Sequence, residues 1–92
     1  MAHSLSSKKR IRQNEKQRGR NRARRSALKS RLRAFSDALT AGDPAVAHAR
    51  FQHACRLLDR EANRGLIHRN AAARRKSRLA KRLNVLRQKA TA

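Results

Sequence analysis

Tryptophan and tyrosine are absent from this 92-residue chain and phenylalanine occurs twice, so it lacks the aromatic platforms on which many single-strand binders stack bases. Acids are nearly as scarce. Only five accompany 26 Lys and Arg, giving a formal charge of +21. Asp59 and Glu61, the two nearest each other, lie two positions apart and point in different directions on a helix, so no carboxylate pair for acid–base chemistry is present. The single Cys55 excludes an internal disulfide, fits a reducing compartment, and beside Ala54 reads as a small buried hydrophobe before it reads as a nucleophile.

Long apolar runs are missing too, so no segment is expected to span a membrane. The opening MAHSLSSKKR has no apolar stretch of the kind a secretory signal needs. A mitochondrial presequence would require an apolar face, and residues 6–25 offer only Ile11 and Ala23. With three glycines there is no phosphate-binding glycine loop. The histidines, His3, His48, His53 and His68, give no metal-ligand spacing, since His48 and His53 are five apart rather than three or four. No cofactor and no small-molecule substrate are expected, and the reading is not an enzyme.

What the chain does have is positive charge, helical periodicity and two clear breaks. In TAGDPAVA, Gly42 suits the left-handed position after one helix, Asp43 suits the cap of the next, and Pro44 its first turn. In NRGLIH, Gly65 closes a second helix and Leu66 folds back on it, with Asn70 the better cap by residue type for the third. Helices are therefore predicted at about 7–41, 44–63 and 69–90. Leu28, Leu32, Phe35 and Leu39 form a stripe on the first. Ala47, Phe51, Ala54 and Leu58, with Val46 and Leu57 beside them, form one on the second, and Leu79, Leu83, Leu86 and Ala90 one on the third. No strand alternation occurs. The expected fold is all-α, a single domain over 1–92 built as a three-helix up-down-up bundle.

The first helix is too long for its partners. It is expected to run roughly 50 Å, yet its apolar stripe is dense only from Ala27 onward, so the earlier turns project without a protein surface beneath them. Like charges three and four apart oppose helix formation there, and the extension is expected to become ordered only on its partner.

Thirteen cations fall between Lys8 and Arg33, four in the second helix and nine from Arg69 to Lys89, so the first and third helices are expected to face a polyanion. Nineteen of the 26 are arginine, whose planar fork grips phosphate oxygens in pairs. They are spread around the first helix rather than along one side, which suggests phosphates on several sides, as in a large folded RNA. The helix starts at Pro44 and near Asn70 are further candidate phosphate sites. A general nucleic-acid compactor, acting on DNA, is the alternative that charge allows. A membrane-active cationic helix is disfavoured because the most basic segment has no apolar face.

Two segments carry a family resemblance. SSKKRIRQNEKQRGRNRARRS at residues 6–26 and GLIHRNAAARRKSRL at 65–79, with AGD at 41–43 between them, resemble the bacterial small-subunit ribosomal protein family numbered twenty. The resemblance extends from about Ala2 to Lys89. It implies a three-helix bundle with a long basic first helix that binds 16S rRNA directly during early subunit assembly, at the 5′ domain and the long penultimate helix. It also implies a bacterial cytoplasmic location and neighbouring ribosomal proteins as further partners. By that similarity the RNA-facing residues would be Lys8, Lys9, Arg10, Gln13, Lys16, Arg20, Asn21, Arg24, Arg25 and Ser26 in the first segment. His68, Arg69, Asn70, Arg74 and Lys76 would join them from the second. Gly19 and the tail LRQKATA depart from the family pattern.

Overall fold

A computed structural model describes residues 5–91, which leaves His3 outside the described part. It contains three helices, α1 (Leu5–Ala41), α2 (Pro44–Asn63) and α3 (Arg69–Thr91), with no strand among the described residues. Both breaks have the local chemistry their residue types predict. Gly42 takes φ +77° and donates to the carbonyls of Ala38 and Leu39, which ends α1. The Asp43 carboxylate then accepts from the N–H groups of Ala45 at 3.1 Å and Val46 at 3.4 Å, with Pro44 in the first turn. At the second break Gly65 takes φ +82°, its N–H bonds the Ala62 carbonyl and the Leu66 N–H bonds the Glu61 carbonyl, a Schellman closure.

The cap of α3 differs from expectation. His68, not Asn70, occupies it: His68 Nδ1 accepts from the Asn70 N–H at 3.1 Å and its carbonyl accepts from Ala72. A ring nitrogen presented at the right distance does what the side-chain oxygen of a typical cap residue does. α1 and α3 also extend slightly beyond the predicted limits, to Leu5 and Thr91.

α2 is the middle layer. It packs against both neighbours, while α1 and α3 touch each other only slightly, so the three helices lie almost side by side within 70 × 23 × 14 Å. The core is Leu28, Phe35 and Ala38 from α1, Ala47, Ala54 and Leu58 from α2, and Ala72, Leu79 and Leu83 from α3. Leu32, Leu39, Phe51, Leu57 and Leu86 border it, half-buried, and the Phe35 and Phe51 rings meet tilted at 6.0 Å between centroids. Two positions counted with the stripes, Val46 and Ala90, are exposed instead: Val46 lies to the side of the α2 stripe, one residue before the buried Ala47, and Ala90 is in the last turn of α3. Ala38 and Ala72 are core members that the large-residue pattern passes over. Alanine on these faces lets neighbouring backbones approach closely, which suits a thin, flat arrangement.

The least expected core residue is Glu61, 1% exposed, three residues beyond Leu58 at the end of the buried face of α2. Its Oε1 lies 3.5 Å from an Arg64 guanidinium nitrogen, and Oε2 has no hydrogen-bond partner among the described residues. A buried oxygen without a partner costs about 1–3 kcal/mol, and the long contact to the half-exposed Arg64 returns little of it. Glu61→Met is therefore expected to raise the thermal midpoint by about 4–8 °C, the shift that roughly 1 kcal/mol gives in a domain of this size. A lower midpoint in a circular-dichroism melt would mean that the carboxylate contributes more through its surroundings than its missing partner takes away.

Candidate nucleic-acid interface

From residue 8 to residue 20 every side chain of α1 is exposed, on all sides of the helix. That is the structural form of a sequence with no apolar stripe before Ala27: nothing in the bundle reaches this segment. None of the thirteen cations of α1 is ion-paired or hydrogen-bonded among the described residues, whereas several on the other helices are engaged. Arg64 approaches Glu61, Arg82 reaches the Ser36 hydroxyl at 3.4 Å, and Arg87 meets His48 Nδ1. Cations near the bundle help hold helices to one another; those of the extension have no internal use.

The positions implied by resemblance separate into groups. Gln13, Lys16, Arg20, Asn21 and Arg24 line one shallow cleft of about 480 Å³ along α1, with Gln17 completing it. Steps of four along 13, 17 and 21 and along 16, 20 and 24 set two adjacent rows on one side of the helix. Gln17 is the one lining residue that the resemblance does not name, and its signal was available, since it lies four residues after Gln13 and four before Asn21. Lys8, Lys9 and Arg10 lie further out on α1, and Arg25 and Ser26 point elsewhere on the helix surface, all of them exposed.

His68, Arg69, Asn70 and Arg74 are exposed at the start of α3. Lys76 is placed differently. It is half-buried, its ammonium bonds Asp59 at 2.8 Å across the α2–α3 contact, and that hydrogen bond raises its pKa. It is the one member of the group that a carboxylate already neutralises among the described residues. The helix starts also differ from the expectation of free N–H groups. Asp43 occupies those of α2 and brings a negative charge to the place where a phosphate would sit, and His68 satisfies one at α3.

Gly19 lies in unbroken helix, and a Cβ built on it would meet no atom within 4 Å. Packing within the chain therefore gives no reason for glycine, which costs a helix about 1 kcal/mol relative to alanine. Cys55 is half-buried, and burial is the main influence pushing its thiol pKa up, which works against a reactive thiolate. Among the described residues no three His, Cys, Asp or Glu side chains converge on a metal position, and no helix is long and apolar enough to cross a membrane.

A flat helical bundle that extends a helix covered in unpaired cations defines a small protein built to bind a polyanion through its backbone charge. Similarity to known proteins narrows that class. The sequence profile of the family described as Ribosomal protein S20 matches residues 2–84. A small ribosomal subunit protein bS20 of Thermobifida fusca is 50% identical over 88 residues, covering 96% of each chain. Counterparts of the same name from Shouchella clausii and Shewanella woodyi are 48% and 49% identical over 86 residues, covering 94% of this chain and 98% of theirs. The chain belongs to this ribosomal protein family, which is not a family of enzymes.

Proposed function

We propose that the protein is a structural component of the bacterial small ribosomal subunit that binds 16S rRNA directly through phosphate contacts and helps assemble and hold together the subunit. The observation that carries this reading is the segment from 8 to 20, exposed on every side and charged without internal partners, in a chain of ribosomal family. Lys8, Lys9, Arg10, Gln13, Lys16, Arg20, Asn21, Arg24, Arg25 and Ser26 form its main RNA surface. His68, Arg69, Asn70 and Arg74 form a second one, and Lys76 joins it only by exchanging Asp59 for a phosphate. Phosphates replace the acids the extension lacks, and RNA is what stabilises it as a helix. Open space at Gly19 lets an RNA strand approach the helix backbone.

Because the two surfaces lie on different helices, one molecule bridges RNA segments that are distant in the nucleic-acid chain. The DNA-compacting alternative uses the charge and leaves the family assignment unused. When a native bacterial extract is sedimented through a gradient in moderate salt, the protein is expected with small subunits. Recovery mainly in the free or DNA-associated fractions would overturn the reading.

A further inference from the structure

Where α1 passes the α2–α3 link, a groove of about 410 Å³ opens, larger than the groove that Leu39, Val85 and Leu86 form with Arg82 and Lys89 and bordered by three cations rather than two. Its floor is aliphatic: Leu28 and Leu32 from α1, Leu66 and Ile67 from the link. Its rim is cationic, with Arg25 and Lys29 on one side and Arg75 on the other, all exposed and none paired with a carboxylate among the described residues. The cleft along residues 13–24, in contrast, is lined entirely by polar side chains. The volume falls in the range of roughly 300–1,000 Å³ typical of small-molecule sites.

An apolar floor bordered by three cations and no acid matches one kind of occupant in an RNA partner, a nucleotide swung out of its helix. Its base would cover the floor while the phosphates on either side meet the rim. Unstacked bases are the parts of RNA that proteins read, and arginine planes serve for stacking where aromatic rings are missing. We infer that this groove holds one extruded nucleotide of the RNA, with its base on Leu32, Leu66 and Ile67 and its flanking phosphates on Arg25, Lys29 and Arg75. The groove also joins the two signature segments, since Arg25 comes from the first and Leu66, Ile67 and Arg75 from the second. The inference rests on the RNA-binding reading above and adds a base contact to an interface otherwise made of phosphate contacts.

The test is chemical probing of a full-length 16S rRNA transcript with and without the complete protein, using dimethyl sulfate and kethoxal for base edges and hydroxyl radicals for the backbone. At least one base that is reactive in the free RNA is expected to be protected inside the backbone footprint. Ile67→Ser, which shrinks the floor without changing charge, is expected to weaken that protection about tenfold or more while the backbone footprint persists. Arg75→Ala, outside the core, is expected to weaken the same base's protection and thereby gives a check that does not depend on how Ile67→Ser folds. A backbone footprint with no protected base, as when a neighbouring protein fills the groove, overturns the nucleotide site alone. So does a base that stays equally protected in both variants. Absence of any footprint overturns the RNA-binding reading and this inference with it.

Discussion

Phe35→Ala is expected to abolish the cooperative thermal transition or to lower its midpoint by about 15–30 °C. Phe35 is 0% exposed and lies at the point where α1 crosses the middle helix, in contact with the Phe51 ring. Truncating a fully buried phenylalanine costs about 3–5 kcal/mol, because apolar surface is no longer buried and a cavity is left behind. Each kcal/mol displaces the midpoint of a domain this size by about 4–8 °C. Little reserve stands against that loss. Small domains bury a modest fraction of their surface, and a charge of +21 repels itself in the compact state. A flat three-layer arrangement aggravates the effect, because no fourth element lies over the core to collapse into the void. Leu32→Ala, at a half-buried position on the same stripe, is expected to cost less than half as much. Circular dichroism at 222 nm against temperature measures both. A Phe35→Ala midpoint within a few degrees of the parent would place the core elsewhere.

Lys16→Gln, Arg20→Gln and Arg24→Gln combined are expected to lower the affinity for 16S rRNA on the order of a hundredfold and to flatten its salt dependence. Glutamine keeps the helix propensity of the residues it replaces, so the change is one of charge alone. The three positions share the cleft with Gln13, Gln17 and Asn21, and none of the three cations is paired with a carboxylate among the described residues. Every phosphate left without its cation takes about 0.7–0.9 from the slope of log K against log salt, so three reduce its magnitude by about two to three. Filter binding over a series of potassium concentrations reads both quantities. The melting temperature should stay level or rise, since the triple variant relieves repulsion and leaves the bundle's own packing intact. An unchanged slope would show that this face of α1 is turned away from the RNA.

The contrast between these two variants follows a division already legible along the chain near Ala27. Before it α1 has cations and no stripe, and the structure leaves it bare; after it Leu28 and Phe35 enter the core. The two breaks were equally legible, because Gly42, Asp43, Pro44 and Gly65 act on their own immediate neighbours through dihedral angles and hydrogen bonds at short range. Leu28, Phe35, Leu58, Leu79 and Leu83 reached the core for the same kind of reason, helical spacing, and Leu32, Leu39, Phe51, Leu57 and Leu86 border it. The exceptions are instructive. Val46 lies one position off the buried row of α2 and Ala90 lies in the last turn of α3, whereas Ala38 and Ala72 have little hydrophobic weight but fall on the covered faces of their helices.

The candidate site was legible in its charge and less so in its geometry. Lys76 has the same residue type and context as its basic neighbours, and nothing local says that Asp59, 17 positions earlier, would hold it at 2.8 Å. His68 outranked Asn70 as a cap because the placement of the whole link decides which side chain faces the N–H groups.

By itself, then, the order of residues determined that there are three helices, where they stop, that the first outruns the other two, and that its outer turns carry unanswered positive charge. These are consequences of dihedral preference, helical period and Coulomb repulsion, all of which act between residues close in the chain. Only the tertiary structure decided that α2 lies between helices that scarcely meet, that Glu61 is enclosed with one oxygen unpartnered among the described residues, and that Arg25 and Arg75 border one apolar groove. Those outcomes depend on the axial rotation and stagger of each helix against the next. Rotation and stagger are set jointly by the packing of all three stripes, a quantity that no single stretch of sequence contains.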